Sequence, residues 1–209
     1  MRLETEVGII GQGFVGTAIR EGIPDFMNVH TYDKYLEDNS SCKSIEELVS
    51  KSQIIFVCLP TPMRPDGSCD FSIVEETVRK IDGLESHAVV VIKSTVPPGT
   101  TEKLNADCKN VRVVFNPEFL TEANFIDDFK NQNRIIIGGP YEAVSTVKNF
   151  YVKIFRDATI IKTNSTTAEC VKYLTNCFLA TKVSFANEFK QICTAAGVDY
   201  DKVVEYALH

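Results

Sequence analysis

The sequence predicts an α/β fold: a Rossmann-like, doubly wound parallel sheet followed by a long central α-helix. Three observations carry this. Short apolar runs alternate with helical patterns from residue 5 to residue 161, and strand, helix, strand in that order means parallel pairing through right-handed crossovers, with helices on both faces. The strand segments are continuous apolar runs, such as Ile54-Ile55-Phe56-Val57 and Val89-Val90-Val91-Ile92, as strands buried on both sides require. From Ser165 to Ala196 the chain has neither proline nor glycine, and Gly197 follows as a helix stop.

Strand-like segments fall at 5–10, 28–33, 53–59, 88–93, 111–115, 134–138 and 158–161. Helical patterns occupy 14–22, 44–51, 71–82, 100–106, 119–128 and 141–154. In the long segment, Ala168, Val171, Leu174, Phe178, Phe185, Phe189, Ile192 and Ala196 recur at three- and four-residue steps. The spacing predicts one helix of about thirty residues, on the order of 45 Å long. Cys177, Ala180 and Val183 form a second apolar set, so cover is expected on more than one side. A short helix, 199–208, follows. The chain is expected to divide into residues 1–163 and 164–209.

Residues 8–16 read Gly-Ile-Ile-Gly-Gln-Gly-Phe-Val-Gly, between an apolar run and a helical stretch. Gly11 permits the tight turn, Gly13 lets backbone approach a diphosphate, and Gly16 allows close packing of helix on sheet. A diphosphate would sit on the helix N-terminus that opens at Phe14, with Gln12, Phe14 and Val15 completing the loop. Asp33, at the end of the next strand, is placed to accept from a ribose diol, with Lys34 beside it. Its charge would repel a 2′-phosphate, so the expected coenzyme is NAD and not NADP.

A net charge of −6 and the absence of a Lys/Arg run argue against nucleic acid as a partner. No apolar run approaches membrane-spanning length. The N-terminus shows no signal peptide, and the seven scattered cysteines form no CxxC, so a cytoplasmic protein with free thiols is expected. His30, His87 and His209 have no metal-ligand spacing, and no metal site is expected.

Ligands of open parallel sheets bind beyond the carboxyl ends of the strands. Pro60-Thr61-Pro62 lies there, a rigid turn suited to the coenzyme side. So do Ser94 and Thr95, although Thr95 would serve equally as a helix-capping hydroxyl. Glu118 and Glu122 stand four apart at an expected helix start, facing the crevice or simply complementing the helix dipole. Lys172 and Asn176 share one face of the long helix, where a solvated stripe is the alternative reading.

Taken together, four strings resemble the UDP-glucose/GDP-mannose dehydrogenase family: Asn116-Pro-Glu-Phe-Leu-Thr-Glu, Lys93-Ser-Thr-Val-Pro-Pro-Gly-Thr-Thr, Asn133-Arg-Ile-Ile-Ile-Gly-Gly, and the stretch from Ala168 to Glu188. The resemblance implies oxidation of the primary alcohol of a nucleotide-linked hexose to a carboxylate by two NAD⁺, through an aldehyde and a cysteine thioester. It implies that Thr95 holds the catalytic water and the nicotinamide, and that Glu118 assists thioester hydrolysis. By the same likeness Glu122 sits near substrate and nicotinamide, Lys172 stabilises oxyanion charge, and Asn176 bonds the same oxygen or the sugar. A homodimer through the long helix is also implied.

The chain departs from the family pattern in three places. The segment between Asp33 and Ser44 is short, and Thr121 and Ala123 stand where Arg and Gly are usual. The Gly-Gly-x-Cys-x-x-Lys-Asp string is absent from these residues, so NAD binding without completed oxidation is expected. Cys170 and Cys177 are read as packing residues. Two other functions fit the residues: a non-catalytic dinucleotide-binding or assembly module, and a β-hydroxyacid dehydrogenase.

Overall fold

The computed structural model describes residues 5–207. Met1–Glu4, where a signal peptide was sought, His209 and the last residue of the 199–208 expectation lie outside the described residues. Seven strands form one sheet: β1 (Glu6–Ile10), β2 (Asn28–Tyr32), β3 (Ile54–Val57), β4 (Val89–Ile92), β5 (Arg112–Phe115), β6 (Arg134–Gly138) and β7 (Thr159–Thr163), in the order β2-β1-β3-β4-β5-β6-β7. The helices are α1 (Phe14–Gly22), α2 (Ile45–Lys51), α3 (Ser72–Gly83), α4 (Thr100–Asp107), α5 (Phe125–Lys130), α6 (Tyr141–Ile154), α7 (Ser165–Ala195) and α8 (Tyr200–Ala207).

Period-two alternation sorts the central strands between two cores. Ile55, Val57, Val90, Ile92, Val113 and Phe115 enter one. Ile54, Phe56, Val91 and Val114 enter the other. Each core is closed by helices, which is why these strands read as unbroken apolar runs.

One pairing corrects the all-parallel expectation. β6 meets β5 antiparallel, with Phe115 opposite Gly138, while β7 again runs parallel to β6. β6 runs back from beyond the edge where β5 ends, so the last residues of the two strands face each other.

The expected helix 119–128 is also corrected: α5 begins only at Phe125. Carboxylates capture the amides that would have started it. Glu118 Oε2 accepts from Leu120 N at 2.7 Å, and Asp128 Oδ2 accepts from Thr121 N at 2.8 Å and Thr121 Oγ1 at 2.6 Å. Glu118 and Glu122 therefore stand on a loop and a turn, not along one helix face.

The chain forms two compact units, residues 1–172 and 173–209, with the boundary inside α7. In the first unit, Asn164 Oδ1 caps α7 by accepting from Thr167 N at 2.7 Å. In the second, α7 stops at Gly197 (φ +68°), where Gly197 N donates to Thr194 O and Val198 N to Cys193 O. This doubly bonded stop needs the left-handed conformation that glycine adopts without strain. Leu174, Phe178, Val183, Phe185 and Ile192 are exposed along the helix. Cys170 and Cys177 are exposed too, so neither is the packing residue the sequence suggested. Among the described residues, no helix is long and apolar enough to cross a membrane, and no group of His, Cys, Asp and Glu could hold a metal ion.

Candidate functional site

The glycine loop leaves β1 at the carboxyl edge, beside the point where the strand order reverses between β1 and β3. Gly11 has φ +93°, and its N–H donates to Tyr32 O at 2.9 Å. A Cβ there would collide with the carbonyl of Cys58, and one at Gly16 would collide with the carbonyl of Gly11. At Gly13 a Cβ would meet nothing within 4 Å. The three glycines therefore differ in kind: two are required by the protein's own packing, and the third borders open space.

That space lies at the N-terminus of α1. The first helical bond runs from Thr17 N to Gly13 O, and Gly13 supplies no side-chain cap. The N–H groups of Phe14, Val15 and Gly16 consequently have no partner among the described residues. Three free donors at the positive end of a nine-residue helix suit an anionic diphosphate.

Asp33 braces the loop from β2. Its Oδ2 accepts from Gln12 N at 2.7 Å, and Oδ1 accepts from Tyr35 N at 2.8 Å and Leu36 N at 3.1 Å. Desolvation pushes this carboxyl up, but the three backbone donors together outweigh it and hold it below the ordinary aspartate value. An ionised carboxylate has about four acceptor sites, so a ribose hydroxyl can still be taken. Gln12 is buried; its Nε2 donates to Gly11 O at 3.2 Å and its Oε1 accepts from Arg20 at 3.3 Å, stiffening the turn from inside. Lys34 is exposed, with Nζ 5.5 Å from the Tyr35 ring centre. The Gly-x-Gly loop and Asp33 thus form one cradle, and its residues fit a dinucleotide.

At the next two strand exits, Ser94 joins β3 to β4. Its Oγ accepts from Leu59 N at 3.0 Å and donates to Leu59 O at 2.6 Å, fixing the start of Pro60-Thr61-Pro62. Thr95 does not cap α4, whose N-cap is Gly99 at φ +93°. The donors there go instead to Glu169 of α7, a fully buried carboxylate. It accepts from Gly99 N at 2.6 Å, Thr101 N at 2.9 Å and Thr101 Oγ1 at 2.6 Å. The Thr95 hydroxyl has no partner among the described residues.

Beyond β5 the chain is pinned by Asn116. Asn116 Nδ2 donates to Ile136 O at 2.7 Å, while its Oδ1 accepts from Lys93 Nζ at 2.9 Å and from the Tyr151 hydroxyl at 2.5 Å. Two residues later, Lys172 Nζ donates to Glu118 Oε1 and to Glu118 O, each at 2.6 Å. Lys172 is buried, so the solvated-stripe alternative does not describe it. Burial pushes the Lys93 ammonium down to about 8 and the Cys58 thiol up to about 12.

Of the residues singled out in sequence, the fold brings together the glycine loop with Asp33, Ser94 with the turn before Pro60, and Glu118 with Lys172. Glu122 lies on an exposed turn without a partner among the described residues, and Asn176 is exposed in the second unit. Sequence reasoning passed over Lys93, Asn116, Tyr151 and Glu169. A signal existed for the first: a lysine continuing the run Val89–Ile92 directly into Ser94 has little chance of reaching water.

Comparison with known proteins gives a consistent result. The UDP-glucose/GDP-mannose dehydrogenase family's NAD binding domain matches residues 21–159, and its central domain matches residues 166–209. An uncharacterized protein of Methanocaldococcus jannaschii is 39% identical over 201 residues, covering 90% of this chain and 22% of its own length. The UDP-glucose 6-dehydrogenase TuaD of Bacillus subtilis is 34% identical over 193 residues, covering 88% of this chain and 41% of its own. The structure of a UDP-glucose dehydrogenase from the archaeon Pyrobaculum islandicum superposes with a TM-score of 0.89 at 31% identity, covering 98% of this chain and 56% of that one. The chain thus spans between about a fifth and three fifths of these relatives.

Proposed function

The chain belongs to the UDP-glucose/GDP-mannose dehydrogenase family and carries its NAD binding domain; from this we propose that it takes part in NAD-dependent oxidation of the primary alcohol of a nucleotide sugar, UDP-glucose or similar, to the uronate. In this reading these residues form the coenzyme side of the site. The observation that carries it is the open space at Gly13, above three unpartnered amides and beside Asp33.

Bound NAD⁺ supplies a hydride acceptor. The amides of Phe14, Val15 and Gly16 bind its diphosphate, and the last acceptor site of Asp33 takes a ribose hydroxyl while its charge disfavours a 2′-phosphate. The Pro60–Pro62 turn, whose start Ser94 fixes, lines the adenosine-ribose or diphosphate side of the coenzyme. The unpartnered hydroxyl of Thr95 holds a water. Lys172, fixed by its two bonds to Glu118, offers its third N–H and its charge to a developing oxyanion. By the family likeness Glu118 assists thioester hydrolysis, and Glu122 sits near substrate and nicotinamide. None of the seven cysteines is assigned the thioester thiol. The exposed apolar residues of α7 favour a homodimer paired through that helix.

Calorimetric titration with NAD⁺ and NADP⁺ tests the coenzyme reading. Heat with NAD⁺ and much weaker binding of NADP⁺ are expected; no NAD⁺ heat, or equal affinity, refutes it. Production of NADH with UDP-glucose or GDP-mannose, and not with a 3-hydroxy acid, tests the substrate class. Production with the 3-hydroxy acid alone would place the chain with the β-hydroxyacid dehydrogenases.

A further inference from the structure

Lys93 is a charged side chain 5% exposed, and the chemistry proposed above makes no use of it. A buried ammonium is costly unless it is paired and hydrogen-bonded. Its one hydrogen bond among the described residues goes to Asn116 Oδ1, at 2.9 Å. Asn116 is in turn held at its backbone N–H and at both side-chain polar atoms: its N–H donates to Ile92 O at 3.0 Å, Nδ2 to Ile136 O, and Oδ1 also accepts from Tyr151. The amide therefore has one orientation, and the backbone leaves it toward Pro117 and Glu118 from a fixed point. Pro117 adds a fixed φ to that exit.

We propose that Lys93 is a positioning residue: its ammonium locks Asn116, and through Asn116 it sets the Glu118 carboxylate where Lys172 meets it. The claim rests on the reading of Glu118 and Lys172 as site groups only for its functional meaning; the geometry stands without it. The charged and titratable groups around the ammonium are Cys58 after β3, Glu118 after β5 and Lys172 on α7, with Tyr151 on α6 sharing the Asn116 acceptor and Asp128 of α5 and Arg134 of β6 lining the same cavity. Glu118 thus lies in the field of two cations, one bonded to it and one behind the loop. Loss of the rear cation leaves Asn116 Oδ1 held by Tyr151 alone, relaxes the loop at its root and loosens the pair in front.

The test needs no turnover, so its failure is separable from failure of the dehydrogenase reading. The full chain, labelled with ¹⁵N-lysine, ¹³C-glutamate and ¹⁵N-asparagine, is compared by NMR with Lys93→Met and Lys93→Arg. The wild type should show a slowly exchanging Lys172 ammonium resonance. Lys93→Met should lose it while remaining folded by methyl spectrum, and Lys93→Arg should restore it. A folded Lys93→Met with the Lys172 resonance unchanged overturns the proposal. Should that variant fail to fold, the wild type alone decides by alkaline titration. The Asn116 side-chain amide and the Glu118 carboxyl carbon should then shift with the midpoint of Lys93, and independent behaviour overturns the proposal.

Discussion

Replacing Glu169 by Ala should be among the most damaging single changes in the first unit. The carboxylate is fully buried and satisfies three donors: Gly99 N, Thr101 N and Thr101 Oγ1. An unsatisfied buried donor costs about 1–3 kcal/mol. Water entering the vacated volume recovers part of that, and the loss of a negative charge at the N-terminus of α4 adds a few tenths. The expected loss is about 3–5 kcal/mol of unfolding free energy, or roughly 6–20 °C in Tm for a unit of this size. Glu169→Gln keeps one acceptor but turns an NH₂ toward a donor, so about half that loss is expected. Urea unfolding followed by circular dichroism measures both. A loss below about 1 kcal/mol for Glu169→Ala would refute the reasoning, because it would mean the α4 amides find partners without this carboxylate.

Three further outcomes follow from the same geometry. Lys172→Ala should leave NAD⁺ affinity within a few-fold by calorimetry, abolish any NADH formation, and cost about 2–3 kcal/mol through the lost charged bonds to Glu118. Asp33→Ala should narrow the NAD⁺ to NADP⁺ affinity ratio and increase proteolysis near Gln12, since Gln12, Tyr35 and Leu36 lose their acceptor. Stability should also depend on pH with a distinctive alkaline shape. Between about 8, where burial leaves folded Lys93, and 10.5, the unfolded chain binds more protons, so stability rises with pH. Above 9.0 the unfolded chain loses the Cys58 proton that the folded state keeps to about 12, and this opposes the rise. The net gain, at most about 1.4 kcal/mol per pH unit, is thus confined to about pH 8–9. Tyr151, raised by burial, turns the curve down above 10. Urea midpoints from pH 7.5 to 10.5 should show this profile, and Lys93→Met should lack the rise.

Much of the fold was legible because strand burial writes itself into composition. Runs such as Ile54–Val57 and Val89–Ile92 admit no other placement in an alternating α/β chain, and α1, α6 and α7 begin at the residues their patterns indicate. What was not legible depended on side chains reaching across the fold. The late start of α5 follows from Glu118 and Asp128 taking the amides of Leu120 and Thr121, a competition that periodicity does not register. The reversed direction of β6 leaves no mark in its own apolar run, Ile135–Ile137. In the site, Gly11, Gly13, Gly16 and Asp33 form a local pattern and were read directly. Glu169 was not, because its three partners lie about seventy residues earlier. Lys93 and Asn116 sat inside strings that drew notice for their neighbours, Thr95 and Glu118.

The central claim is that the free amides opening α1, with the space over Gly13, hold a coenzyme diphosphate. Titration of NAD⁺ into the chain and into its Gly13→Ala variant tests this most directly, because the added methyl touches no protein atom within 4 Å. The account predicts an unfolding free energy changed by less than about 1 kcal/mol, because the reduced freedom of the unfolded chain opposes the poorer N-capping of alanine, with NAD⁺ affinity reduced at least about tenfold. Equal NAD⁺ affinity for the two proteins would contradict it.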